Sequence, residues 1–403
     1  MADEKVSGYG HLKRDMGLFS AVAVVVGNCV GAGIFITPSI VYQEAGSVGA
    51  DLLIWVAAGV GSLIHGLCIA ELGTVLPSAG GPYEYLKVAV ESTGRTGDVL
   101  CFLYSWCFLI ADPMGATLHA LTFTSYLLEL VYGSCAPPRS ATVLVTFVVI
   151  VLRLPAWRKR CPTPCRTIPR ALLGGLFLVT GTARLHQYGV LCCPGPGVPD
   201  RHRGNGRQLS HEPRGAPQGH ILVPIIVCVC TFGTMSASCF TNTRLFMAAA
   251  RNKHLPEVFS LISVKTSLPV VSIVSRTCIA MAFTVTGSVG FLAKGFMAAV
   301  SLMNVMTILA MLRLRRTIMD KSRAIKVPTF LIFVNLAILV TLAVAPLLGR
   351  RLLTEYLVTF ATLLVGIPAY FVVSALGRTR AGTELFRLVQ KVFYCVPCVP
   401  YKR

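Results

Sequence analysis

Charged residues are scarce in this chain. They make up 13% of its 403 residues, against about 25% in soluble proteins, and this deficit argues against an ordinary soluble domain. The sequence also lacks a nucleophile elbow, a His-Glu-x-x-His motif and clustered carboxylates, so we do not expect an enzyme. The closely spaced Cys pairs, at 161/165 and 395/398, have no His partner at zinc-site spacing, so we expect neither a metal nor a cofactor.

The N-terminal segment has no cleavable signal peptide that we recognise. Residues 1–15 are polar and mixed in charge, and the apolar run after them is too long for a signal sequence. We therefore expect the first helix to remain in the protein. The formal charge of +20 does not indicate nucleic-acid binding, because the basic residues lie at the ends of apolar runs and not along one stripe.

Long apolar runs dominate the rest of the chain. Hydrophobic residues make up 54% of it, and the mean hydropathy is +0.69. The runs are continuous, which favours membrane-spanning helices over strands. We predict an all-α polytopic membrane protein with about ten spans, of which the fourth is short: 17–42, 52–76, 99–131, 141–152, 171–192, 221–250, 268–291, 295–312, 327–348 and 355–377.

The basic residues predict how these spans are oriented. Lys and Arg concentrate in segments that fall on one side of the membrane, such as 153–170, 313–326 and the region after 377. By the positive-inside rule both termini are cytoplasmic. The predicted organisation is listed here by region: a cytoplasmic tail (1–16), a first helix bundle (17–192), an irregular Gly/Pro/Arg-rich loop (193–219), a second bundle (220–377) and a cytoplasmic tail (378–403).

A glycine motif interrupts the first span. It consists of Gly31, Ala32, Gly33 and Ile34, followed by Phe35. Glycines in mid-helix destabilise it by about 1 kcal/mol each, and a helix that unwinds there exposes N–H groups able to hold a carboxylate. Close packing of small residues against a neighbouring helix is the alternative explanation.

Several further motifs accompany this one. They are Glu44-Ala45-Gly46, Ala70–Gly73, Ser78–Tyr85, Phe240–Phe246, Arg251–Pro256 and Ile325–Pro328. Together they resemble the amino acid–polyamine–organocation transporters, and in particular the L-type family that forms the light chains of heterodimeric amino acid transporters. The resemblance covers about 17–152 and 220–395.

The resemblance implies a LeuT-like fold of two inverted repeats and sodium-independent exchange of amino acids. The substrate carboxylate would lie on the backbone N–H groups of Gly31, Ala32 and Gly33, beside Ile34. The fold is expected to be incomplete, because residues 192–220 contain no counterpart of the family's sixth and seventh helices. A truncated, non-transporting paralogue or scaffold that still pairs with a heavy chain is therefore the alternative function.

Two further residues are candidates for function. Cys135 lies in a loop predicted to be extracellular, where a lone exposed Cys suggests an intermolecular disulfide. The resemblance implies a single-span glycoprotein heavy chain as its partner, at the plasma membrane.

Asp112 lies in the middle of the third span, and a carboxylate facing a cavity would favour cationic substrates. Satisfaction by packing or water is an equally weighted alternative.

Overall fold

The computed structural model describes most of the helical part of the chain. The described residues are 41–42, 45–76, 80–132, 135, 137–152, 219–263, 269–286, 289–317, 326–348, 360–361, 364–376, 384, 387–388 and 395–397. The predicted first span lies outside them except for residues 41–42, as do the predicted fifth span and nearly all of the irregular loop. The predicted missing helices therefore stay a prediction.

Helices form almost all of the described structure, which confirms the predicted all-α membrane fold. In chain order they are α1 (Val48–Val75), α2 (Pro82–Val90), α3 (Arg95–Tyr132), α4 (Arg139–Leu152), α5 (Gly219–Arg251), α6 (Val270–Thr286), α7 (Val289–Thr317), α8 (Thr329–Leu348) and α9 (Gly366–Leu376). Within the described ranges, α1, α3 and α7 are long and apolar enough to cross a membrane, and α4, α6 and α8 contain shorter apolar stretches.

Local sequence explains where several helices begin. The Ser47 hydroxyl accepts a hydrogen bond from the Ala50 N–H (3.2 Å) and caps the start of α1, as short polar side chains do at helix N-termini. Pro82 occupies the first turn of α2, where its missing N–H costs no hydrogen bond. Gly81 precedes it with a positive φ of 53°. The Gly-Gly-Pro sequence thus forms the turn into a short helix.

The long helix α3 lies at the centre of the bundle and packs against α4, α5, α6 and α7. Hydroxyl groups join these helices directly. Thr117 of α3 donates to the carbonyl of Ala280 in α6 (3.0 Å), and Thr146 of α4 donates to Thr124 of α3 (3.0 Å). Such bonds add to packing in a membrane, where no hydrophobic effect drives helices together.

Glycine permits one particularly close approach to α3. A Cβ atom at Gly115 would lie 2.8 Å from the ring of Phe296 in α7, so the ring packs directly on the glycine backbone. Small residues at such crossings let neighbouring helices pack closely.

A two-stranded antiparallel sheet is the exception to the all-α expectation. Strand β1 (Leu261–Ser263) follows α5, and it pairs with β2 (Cys395–Pro397) in the C-terminal tail. Ile262 faces Val396 in the register. The alternation of polar and apolar residues in such short strands is too brief to predict from sequence.

Candidate functional site

The predicted substrate residues divide into two groups. Gly31, Ala32, Gly33 and Ile34 lie outside the described residues, so their role stays a prediction. Asp112 is described, and it is buried in the middle of α3 next to Pro113. Its surroundings are the best-defined part of the candidate site.

Two helices bring polar side chains to the Asp112 carboxylate. Arg276 of α6 donates from Nε to Asp112 Oδ2 and from Nη2 to Oδ1 (2.9 Å), which makes a two-pronged ion pair. Asn242 of α5 donates from Nδ2 to Oδ1 (2.6 Å). The side chains of Asp112 and Arg276 are 2% and 1% exposed. A buried charge of either sign is costly unless it is paired in this way.

This pairing defines the surroundings of Asp112. The guanidinium of Arg276 neutralises its carboxylate, and Asn242 adds a further hydrogen bond. Direct contact between Asp112 and a substrate stays a prediction.

Arg276 itself is only partly satisfied. Its Nη2 also reaches the Ser238 hydroxyl of α5 (3.4 Å). Its Nη1 is buried and has no hydrogen-bond partner among the described residues. An unmet donor on a buried charged group is costly. The guanidinium therefore retains one unsatisfied edge inside the helix bundle.

A second buried ion pair joins two of the sequence motifs. Glu71 of the Ala-Glu-Leu-Gly motif accepts from Nη2 of Arg315, near the end of α7, and from its Nε (3.1 Å). The backbone N–H of Val327 also donates to Glu71 (2.8 Å), and the Val327 carbonyl accepts from Arg315 (2.6 Å). This pair fixes the start of α8 against α1 and α7.

A third polar cluster joins α2 to the segment after α5. The Tyr83 hydroxyl lies 2.6 Å from Nδ1 of His254, and Nε2 of His254 lies 3.4 Å from the Asp98 carboxylate. A neutral imidazole protonated on Nε2 satisfies both contacts, because Tyr83 then donates to Nδ1 while Nε2 donates to Asp98. Burial lowers the pKa of His254 below its usual value of 6.5, and the nearby Asp98 opposes that shift.

Further polar residues join α2 to α5 and the segment that follows it. Lys87 donates to the side-chain oxygen of Asn252 (2.6 Å), and Asn252 donates to the Glu84 carboxylate (3.3 Å). A Cβ at Gly80 would lie 2.9 Å from that of Ala248 in α5, so the turn before α2 must pass close to this helix. We call Tyr83, Glu84, Lys87, Asn252 and His254 the loop cluster.

Cys135 lies in the connection between α3 and α4. Its side chain is exposed and forms no disulfide with the described cysteines, and its N–H donates to the Tyr132 carbonyl at the end of α3 (3.0 Å). A thiol in this position is accessible to another protein.

The motifs that contain Glu71, Val327, Tyr83 and His254 are visible in the sequence, but their contacts with one another are not predicted by it. Arg276 is not among the predicted site residues. The signal was present, since Arg276 is an ionisable residue inside a predicted span, the same criterion that selected Asp112.

Comparison with known proteins identifies the family. The family model for amino acid permeases matches residues 16–153 and 159–368. The b(0,+)-type amino acid transporter 1 of Rattus norvegicus is 27% identical, over 89% of this chain and 88% of the relative. Large neutral amino acids transporter small subunit 2 of Mus musculus is 25% identical, over 89% of this chain and 81% of the relative. The chain is therefore a membrane protein of the amino acid permease family.

Proposed function

We propose that this chain is a sodium-independent amino acid exchanger and the light chain of a disulfide-linked heterodimer. The observation that carries the proposal is the family match, which extends over both predicted helix bundles. Relatives across the same range are named as amino acid transporters, and one is named a small subunit. Substrate class and exchange are expectations drawn from that relationship.

The proposed binding mode uses backbone groups of the first span. Where the helix unwinds at Gly31, Ala32 and Gly33, its N–H groups hold the substrate carboxylate, and Ile34 lies beside them. The positive end of the following half-helix adds to the attraction. Alternating access around this midplane site moves the amino acid with no chemical change to it.

Exchange is the property to measure first. Proteoliposomes loaded with unlabelled amino acids, in sodium-free buffer, should take up labelled amino acid faster than empty ones. Gly33→Val should abolish this exchange, because a branched side chain blocks the approach of the carboxylate. Gly233→Ala is the matched control, since nothing lies within 4 Å of the added Cβ. Equal uptake by loaded and empty vesicles, for all amino acids, would contradict the proposal.

The proposed heavy chain attaches through Cys135. Besides the exposed thiol, the start of α4 presents an open face that carries Arg139, Ser140, Val143, Leu144 and Phe147. A single apolar helix that lies against this face would hold its own cysteine near Cys135. The complex is expected at the plasma membrane, with both termini of this chain in the cytoplasm.

Pairing has a simple biochemical signature. Wild-type protein from cells should run on non-reducing gels as a high-mass band that a reductant converts to the single chain. Cys135→Ser should remove that band, whereas Cys278→Ser, which also changes an exposed cysteine, should leave it intact. A band that persists in Cys135→Ser rejects this attachment site.

A specific observation favours the second candidate, a non-transporting scaffold. The alignment with the rat relative spans 436 residues, more than the 403 of this chain, so the relative contains residues that this chain lacks. Loss of the sixth helix would remove half of the proposed binding site. A reducible heterodimer that shows no exchange would support the scaffold over the exchanger.

A further inference from the structure

The unsatisfied edge of Arg276 is the starting observation. The guanidinium offers five N–H donors, and Asp112 takes the edge formed by Nε and Nη2. Nη1, at the far end, is buried and meets no nitrogen or oxygen acceptor among the described residues, and the thiol of Cys239 in α5, a weak acceptor, also interacts with the guanidinium. Proteins rarely leave a donor of a charged group unmet in their interior. This position therefore suits an acceptor that the described residues do not supply.

The position of this donor in the fold agrees with a substrate contact. Asp112 lies near the middle of α3, and Arg276 and Ser238 lie within α6 and α5, well away from their ends. In secondary transporters the substrate lies near the middle of the membrane. Ionisable residues at that depth typically mark a substrate or ion pathway.

We propose that Nη1 of Arg276 binds the side-chain oxygen of a polar amino acid substrate. This inference rests on the proposed transport function and adds a substrate class to it. The fitting substrates carry a carboxylate or carboxamide side chain: aspartate, glutamate, asparagine and glutamine. Asp112 is then a positioning residue, because it acts on the substrate only through the orientation of Arg276.

Charge balance explains why carboxylate and carboxamide belong to one class. Asp112 already cancels the positive charge of Arg276, so the remaining donor requires an acceptor oxygen and not a full negative charge. An apolar side chain such as that of leucine would leave Nη1 unpaired. Sites built to hydrogen-bond a substrate group discriminate strongly against analogues that lack it. We expect a preference for glutamine over leucine of at least about tenfold.

Direct binding to the purified full-length chain tests the inference. The affinities of glutamine, glutamate and leucine would be measured by competition with labelled glutamine. The variant D112N/R276Q removes both charges together, so no lone buried charge is left to unfold the protein. It should reduce the preference for glutamine over leucine to about threefold or less, because the shorter glutamine side chain has no nitrogen at the position of Nη1.

E71Q is the matched control. It weakens the other buried ion pair, lies outside the proposed contact, and should keep the wild-type ratio of glutamine to leucine affinity. Tight binding of both glutamine and glutamate supports the shared acceptor oxygen as the determinant, and tight binding of glutamate alone contradicts it. A wild-type chain that binds leucine as well as glutamine, or a preference that survives in D112N/R276Q, overturns the inference.

These outcomes separate the inference from the proposed function. Selective glutamine binding without trans-stimulated uptake would support the Arg276 contact and reject exchange. Trans-stimulated uptake of apolar amino acids alone would support exchange and reject the Arg276 contact.

Discussion

Two buried ion pairs in the described part of the chain differ in the groups that complete them. Asp112 and Arg276 meet deep in the helix bundle, and only side chains complete their coordination. Glu71 and Arg315 meet at helix ends, where the backbone N–H and C=O of Val327 both take part. The first pair leaves a buried donor that no described residue satisfies, while the Arg315 side chain is 11% exposed and can reach water. The Glu71 pair therefore suits a structural joint, and the Asp112 pair retains capacity for a ligand.

The strongest way to sharpen this contrast is to break the deep pair. Arg276→Ala leaves Asp112 as a buried, uncompensated charge, so we expect a loss of about 3–5 kcal/mol and a large fall in folded protein. Thermal unfolding in detergent, followed by size-exclusion chromatography, measures it. The exposed Arg316→Ala is the control. Equal unfolding temperatures for the two variants would show that Arg276 does not stabilise the bundle.

The Glu71–Arg315 pair at the helix ends should tolerate substitution better than the Asp112–Arg276 pair. Glu71→Gln keeps the shape and the acceptor oxygen while it removes the charge, and Arg315 can turn toward water. We expect a loss of about 1–3 kcal/mol in the same unfolding assay. A loss as large as that of Arg276→Ala would erase the distinction between the two pairs.

The smallest expected effect concerns pH and the loop cluster. Because the folded pKa of His254 is lowered, the unfolded chain takes up the proton first as the pH falls below about 6.5. The stability of the α2 contact is thus present above that pH and decreases below it. After correction for the intrinsic exchange rate, which falls with pH, the backbone amides of 82–90 should be less protected from hydrogen exchange at pH 5.5 than at pH 7.5.

His254→Gln is the matched variant for that experiment. It keeps a side chain able to accept from Tyr83 and should reduce the pH dependence of exchange in 82–90. If His254→Gln leaves the pH dependence of hydrogen exchange in 82–90 unchanged, another titratable group is responsible for that dependence.

Sequence predicted the helices far better than their meeting points. Long apolar runs identify spans on their own, because the bilayer sets both their length and their composition. Contacts between helices cannot be predicted in this way, because Glu71 meets Val327 and Asp112 meets Arg276 across large separations in the chain. Nothing in the local pattern states which distant helix supplies the partner charge. Arg276 was detectable as an ionisable residue in a span, but its pairing with Asp112 was not.

The short sheet is a second contact between distant segments that the local sequence does not predict. Three residues after α5 and three in the C-terminal tail have too little pattern to signal a strand. What makes them pair is the arrangement of the whole chain, which brings the tail to the end of α5. The predicted fold class was correct even though this element was absent from it.

That sheet also has a consequence for biosynthesis. Strand β1 emerges from the ribosome before α6, α7, α8 and α9, while β2 follows all of them. Its hydrogen-bonding partner therefore does not exist until the helices in between have been made. Closure of this ladder must be one of the last events in the maturation of the polypeptide, and protease resistance of the segment around Ile262 should appear only in chains elongated beyond Pro397.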